Sequence, residues 1–110
     1  MNFEQETRGD ITILRPLVRL DSASSPALEA AVHEHLNAAC NRLVFDLSRL
    51  DYISSAGLRV ILMAGKRLRS TGGRLVLCGL GDDVRGVFEM SGFLNLFAVA
   101  DRLDGALTLV

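Results

Sequence analysis

Cysteine is scarce in this chain: Cys40 and Cys78 are the only two in 110 residues, and their spacing matches no metal-ligand motif. Thiols this sparse, in a chain without secretory features, read as reduced packing residues, and no chemistry is assigned to them. Net charge is also nearly missing. Twelve Lys and Arg oppose thirteen Asp and Glu, a formal balance of −1, so no bulk field draws the protein to nucleic acid or to an acidic membrane. Hydrophobic runs of spanning length are lacking, which argues against direct membrane insertion. The opening MNFEQETRGD has neither a basic n-region nor an apolar h-region, so it is not a secretory signal, and a cytoplasmic location is expected. No repeat, linker or low-complexity tract interrupts the chain.

What is present suits one folded domain, residues 1–110. Hydrophobic residues make up 49% and charged residues 23%, which excludes disorder by composition. A chain of this length buries roughly two-thirds of its extended surface around one core. The mean hydropathy of +0.29 is high and hints at an apolar surface kept for a partner.

The segment from Arg42 to Arg69 reads as a strand feeding a helix. Leu43 to Phe45 form an apolar run that reaches Asp46, and after a polar connection Leu58, Ile61, Leu62, Gly65 and Leu68 recur at helical spacing. Ser54 and Ser55 lie between, where a hydroxyl caps the orphan N–H groups of a first turn. The same N–H groups and the helix dipole favour an anion, so a phosphate on a serine there is accommodated. Capping alone is the simpler reading of the residues.

Around this junction the chain alternates. Phe3 to Glu6 form a short strand, Arg8-Gly9-Asp10 a turn, and Ile11 to Ile13 a half-buried strand that Pro16 interrupts before Leu17 to Leu20. Ser25-Pro26 is read as the cap and first residue of a helix carrying Leu28, Ala31, Val32, Leu36 and Ala39 on its apolar stripe. His35 borders that stripe, His33 faces water, and neither has a visible partner. Gly72-Gly73 ends the second helix, Arg74 to Cys78 is a buried strand, and a short helix runs from about Asp83 to Ser91. Gly79-x-Gly81 opens like a dinucleotide fingerprint, but Val84 occupies the position of the third glycine, and the nucleotide reading is discarded. Leu96 to Val99 is a last short strand, and Asp101 caps a terminal helix with Leu103, Ala106, Leu107 and Val110 inward. The fold class is α/β: a mixed central sheet of four to five strands, the N-terminal strand antiparallel and the later ones largely parallel, with about four helices.

Five pieces stand in order along the chain: Leu20-Asp21 with Ser25-Pro26-Ala27-Leu28, Asp46-Leu47-Ser48, Tyr52 to Arg59, Gly72-Gly73-Arg74-Leu75 and Phe88-Glu89-Met90-Ser91-Gly92. Together they resemble the STAS family of sulfate transporter and anti-sigma factor antagonist domains. The resemblance covers nearly the whole chain. Stand-alone members of this length resemble bacterial anti-sigma factor antagonists. It implies that the unphosphorylated protein binds an anti-sigma factor, often a serine kinase, and frees a sigma factor, that phosphorylation ends the binding, and that a phosphatase reverses it. Ser55, two residues before Gly57, matches the phosphoacceptor, with Ser54 as a rival hydroxyl. The partner surface is read as Asp21, Ser54, Ser55, Ala56, Gly57 and Arg59, with Asp21 and Asp46 flanking the site; Val60 and Met63 lie off the main apolar stripe of the helix and are read as part of an apolar docking face. Two positions depart from the family pattern: Ser54 stands where Asp is frequent, and Val18 where many relatives carry Gly.

The resemblance implies no cofactor. A serine hydrolase wants Gly-x-Ser-x-Gly at such an elbow, but Ile53 stands two residues before Ser55 and no histidine is placed near it, so the chain is read as no enzyme. The alternative is a non-switching STAS interaction module, such as an accessory subunit of a lipid-type ABC transporter or a sensory scaffold.

Overall fold

The computed structural model describes residues 2–110. Its first strands, β1 (Phe3–Arg8) and β2 (Ile11–Pro16), form an antiparallel hairpin turned at Gly9-Asp10. β4 (Arg42–Asp46), β6 (Arg74–Cys78) and β7 (Ala98–Ala100) then add in parallel, giving one five-stranded sheet in the order β1-β2-β4-β6-β7. A second sheet escapes a reading by hydrophobic runs. β3 (Val18–Leu20) and β5 (Leu50–Ile53) form a parallel two-stranded ribbon in which Leu20 is level with Ile53. β5 reads LDYI, and its exposed Asp51 and Tyr52 between buried Leu50 and Ile53 conceal the strand within an apparent polar connection.

Side-chain alternation along the strands sends successive residues to opposite faces. Leu14, Leu43, Phe45 and Leu77 face a large core shared with residues of α1 (Ser25–Asn37), α2 (Ser55–Ser70) and α3 (Asp82–Met90). Ile11, Ile13, Val44, Val76 and Cys78 face a smaller core closed by Ala106 of α4 (Leu103–Leu109) and by Val110. Three helices therefore lie on one face and one on the other. This agrees with the expected mixed α/β sheet and four helices.

Several boundaries move. Helix α1 starts at Ser25 with Ser24 as its cap, because the Ser24 hydroxyl is held by the Arg19 carbonyl and the Asp21 N–H and fixes the chain one residue earlier. Its end is at Asn37, and Ala39 leaves the apolar stripe at φ +68°. Leu94–Leu96 forms a 3-10 turn, so the last strand begins at Ala98, and Arg102 rather than Asp101 caps α4. Helix α2 stops as expected: Gly72 takes φ +77°, which an L side chain resists, and the Gly73 N–H reaches back to the Leu68 carbonyl at 2.7 Å.

Candidate functional site at the ribbon and helix junction

The ribbon delivers the chain to the start of α2. Ser54 caps the helix in extended geometry, φ −93° and ψ 175°, and its hydroxyl accepts the Gly57 N–H at 3.4 Å while its carbonyl accepts the Leu58 N–H at 2.9 Å. The Ser54 N–H donates to the Leu20 carbonyl at 2.9 Å, which ties the cap to β3. Ser55 is the first helical residue and is exposed, and among the described residues its hydroxyl has no hydrogen-bond partner. The two adjacent serines thus hold different positions: one hydroxyl closes the helix, the other is free.

Gly57 sits where the helix crosses β3. A Cβ there lies 2.7 Å from Leu20 Cγ and 2.8 Å from the Leu20 carbonyl oxygen, so only hydrogen fits. Buried Gly57 therefore sets the approach of α2 to the ribbon and presents no side chain to a partner. Val60 also turns inward, only 3% exposed, because α2 packs against α1, β5 and β6 together and its buried arc is wider than the single stripe read from the sequence. Met63 is half-buried against the same core. Ser55 and Arg59 are exposed, and Ala56 is half-buried between them.

Asp21 lies beside Ser54, one residue past the Leu20 and Ile53 pair. Its Oδ1 accepts from the N–H groups of Ala23 at 3.0 Å and Ser24 at 3.1 Å, and its Oδ2 accepts from Arg19 Nε at 3.4 Å. The Ser24 N–H chiefly, with Ala23, the Ser24 hydroxyl and Arg19 adding to it against a smaller cost of burial, holds this carboxyl below its ordinary pKa. Asp21 is therefore an ionised carboxylate that shapes the loop.

Asp46 does not flank the serine. Strand alternation places Phe45 in the α2 core and Asp46 on the opposite face of the sheet, where Arg15 Nε donates to its Oδ2 at 2.7 Å and the Ser48 N–H to its Oδ1 at 3.1 Å. Arg15 also binds Glu4 at 3.2 Å and Glu6 at 3.1 Å, so Asp46 joins β4 to the hairpin. Burial alone raises the Asp46 pKa, but the Arg15 and Ser48 hydrogen bonds outweigh it and leave the carboxyl below its ordinary value.

Three residues at the site carry no signal in a reading by hydrophobic periodicity. Tyr52 is 42% exposed, and the Arg19 guanidinium stacks 4.3 Å from its ring centroid. Val18 is 58% exposed at φ +63°, a left-handed conformation that β-branched residues resist.

Chemically, the junction offers an exposed hydroxyl at a helix start without an imidazole to activate it. His33 Nδ1 accepts from Arg67 Nη1 at 2.7 Å, at the far end of α2, and His35 Nε2 lies 2.9 Å from Gln5 Oε1 on β1. Both histidines thus have partners that the sequence did not reveal. Among the described residues no cluster of His, Cys, Asp or Glu is arranged to hold a metal ion, and no helix is long and apolar enough to cross a membrane.

Comparison with known proteins places this geometry. Residues 2–106 match the STAS domain. A Bordetella bronchiseptica protein named as a candidate anti-sigma factor antagonist, BtrV, is 51% identical over 87 residues, covering 79% of this chain and 75% of that protein. The anti-sigma F factor antagonist of Paenibacillus polymyxa is 28% identical over 109 residues, covering 98% of this chain and 93% of that protein. The crystal structure of a candidate anti-sigma factor antagonist from Thermotoga maritima superposes with a TM-score of 0.93 at 25% identity, covering 98% of this chain and 93% of that one. With the ribbon, the capped α2 start and the five-stranded sheet in place, the chain belongs to the STAS domain family.

Proposed function

We propose that this protein is a cytoplasmic anti-sigma factor antagonist whose binding is gated at Ser55. In this reading the unphosphorylated protein binds an anti-sigma factor of the serine-kinase type and so frees a sigma factor. The kinase transfers the γ-phosphoryl group of ATP to Ser55 Oγ, the hydroxyl proton leaves, ADP is released, and the complex separates; a phosphatase resets it. The protein itself acts by binding and carries out no catalysis. The relatives' names support the regulatory role.

One observation carries the choice of residue: the Ser55 hydroxyl is exposed and has no partner among the described residues, whereas Ser54 spends its hydroxyl on the cap. A phosphate on Ser55 adds about −1.5 to −2 charges at the N-terminal end of a helix, where it leaves the fold intact and repels a surface fitted to a neutral hydroxyl. The accessible surface beside it comprises Asp21, Ala56 and Arg59, with the edge of Met63 and the exposed Tyr52 and Val18.

The test is a pull-down from the source organism with wild type and Ser55→Asp in parallel, each first shown to fold, followed by phosphosite mapping on the tryptic peptide Leu50 to Arg59. Recovery of a kinase-fold anti-sigma factor by wild type alone, with phosphate on Ser55, is the expected result. Equal recovery of transporter or scaffold subunits by both proteins refutes the gate and favours a constitutive STAS module. Phosphate on Ser54 refutes the choice of residue.

A further inference from the structure

Arg59 stands one helical turn after Ser55, and both are exposed. Residues four apart on a helix are surface neighbours, and long side chains lean toward the helix N-terminus, so the Arg59 side chain is within reach of the turn that begins with Ser55. Arg59 forms no ion pair and no side-chain hydrogen bond among the described residues. Arg8, Arg15, Arg19, Arg42 and Arg49 have carboxylate partners, and Arg67, Arg69 and Arg74 bind His33, Asn37 or backbone carbonyls, whereas Arg59, like Arg85 and Arg102, has no side-chain partner among the described residues. The first turn of α2 carries no acidic residue, in contrast with Asp82 and Asp83 at the start of α3. Among the described residues no carboxylate pairs with this cation, which stands near the positive end of the helix dipole in the unmodified protein.

We propose that Arg59 is the intramolecular counter-ion of a phosphate on Ser55, folding over the modified residue and holding it against α2. The inference rests on Ser55 as the phosphoacceptor and adds a second effect to the gate: modification also withdraws Arg59 from the partner-facing surface. Arg59 acts here as a positioning residue. Guanidinium groups pair with phosphate through two parallel N–H donors, which an ammonium group does not reproduce. Asp21, kept ionised by its loop hydrogen bonds and next to Ser54, opposes a phosphate and makes this offset matter.

The experiment installs phosphoserine at position 55 during translation, so no kinase is required, in wild type, Arg59→Lys and Arg59→Gln. The phosphate's second ionisation is followed by 31P NMR at low salt and at about 0.15 M salt, where screening acts within about 8 Å. The expected result is a lower phosphate pKa in wild type than in Arg59→Gln, by about 0.15–0.4 pH unit, the size of a helical i,i+4 ion pair divided by about 1.36 kcal/mol per unit. Arg59→Lys should recover part of the shift, and the Arg59 Nε–H resonance should move and exchange more slowly on phosphorylation. Equal phosphate pKa values in wild type and Arg59→Gln overturn the proposal, as does loss of helical signal in the phosphorylated wild type. Equal recovery of the same partners by wild type and Ser55→Asp would reject the functional reading but leave the titration result standing, so the two failures are distinguishable.

Discussion

Replacing Gly57 by alanine tests whether the approach of α2 to β3 is as close as the structure makes it. The new methyl would lie 2.7 Å from Leu20 Cγ and 2.8 Å from the Leu20 carbonyl oxygen. Neither neighbour gives way easily: Leu20 is 1% exposed in the main core, and its carbonyl accepts the Ser54 N–H at 2.9 Å. Overpacking of this kind costs about 1–3 kcal/mol, and alanine's better helix propensity offsets less than about 1 kcal/mol of it, leaving a net loss of about 1–2 kcal/mol. For a domain of this size that lowers Tm by about 5–10 °C. Gly86→Ala in α3 is the matched control, because its Cβ meets nothing within 4 Å. That substitution should stabilise by about 0.5–1 kcal/mol through helix propensity alone. Calorimetry and urea unfolding on both variants give the comparison. A Gly57→Ala protein as stable as wild type, beside a stabilised Gly86→Ala, would refute the close crossing and with it the account of how Ser55 is positioned.

Other perturbations follow from the same contacts. Val18→Gly removes a left-handed strain of about 1–2 kcal/mol and adds unfolded-chain entropy of about 0.5–1 kcal/mol, so urea midpoints should rise by the equivalent of up to about 1 kcal/mol; a clear fall would show that Val18 is not strained. Asp46→Asn should lose about 1–3 kcal/mol at pH 7 by weakening the Arg15 pair. Because the folded pKa of Asp46 is depressed, its contribution is complete above the ordinary carboxyl pKa and is lost as pH falls through the folded value. The gap between wild type and Asp46→Asn should therefore close in acid below about pH 4, and a gap unchanged at pH 2 would contradict the pairing. Cys78 is buried, and that burial, with the Asp46 charge adding to it, pushes its thiol up to about 12. Iodoacetamide at pH 8 should therefore label Cys40 alone in the native protein and both thiols in urea, read by mass spectrometry; native labelling of Cys78 would refute its burial.

The sheet and its helices were legible because β4, β6 and α2 announce themselves through apolar runs and helical spacing. β5 was not, since Leu50 and Ile53 are its only inward residues and Asp51-Tyr52 between them read as a loop. Of the site, Ser54 and Ser55 were found together, but their division of labour depends on an N–H three residues on, which composition does not reveal. Val60 was misplaced because helical spacing gives the centre of a buried arc and not its width. Asp46 was misplaced for another reason: proximity in sequence says nothing about which face of a strand a side chain takes, and its partner Arg15 lies 31 residues away.

The central claim is that the state of one hydroxyl decides partner binding. It is tested most directly by titrating the recovered anti-sigma factor with unmodified protein and with protein carrying phosphoserine at position 55, by calorimetry at fixed salt. The account predicts that phosphorylation weakens binding at least about 100-fold, a loss of about 2.7 kcal/mol or more. Equal affinity for the two forms would contradict it and leave Ser55 as the first residue of a helix and nothing more.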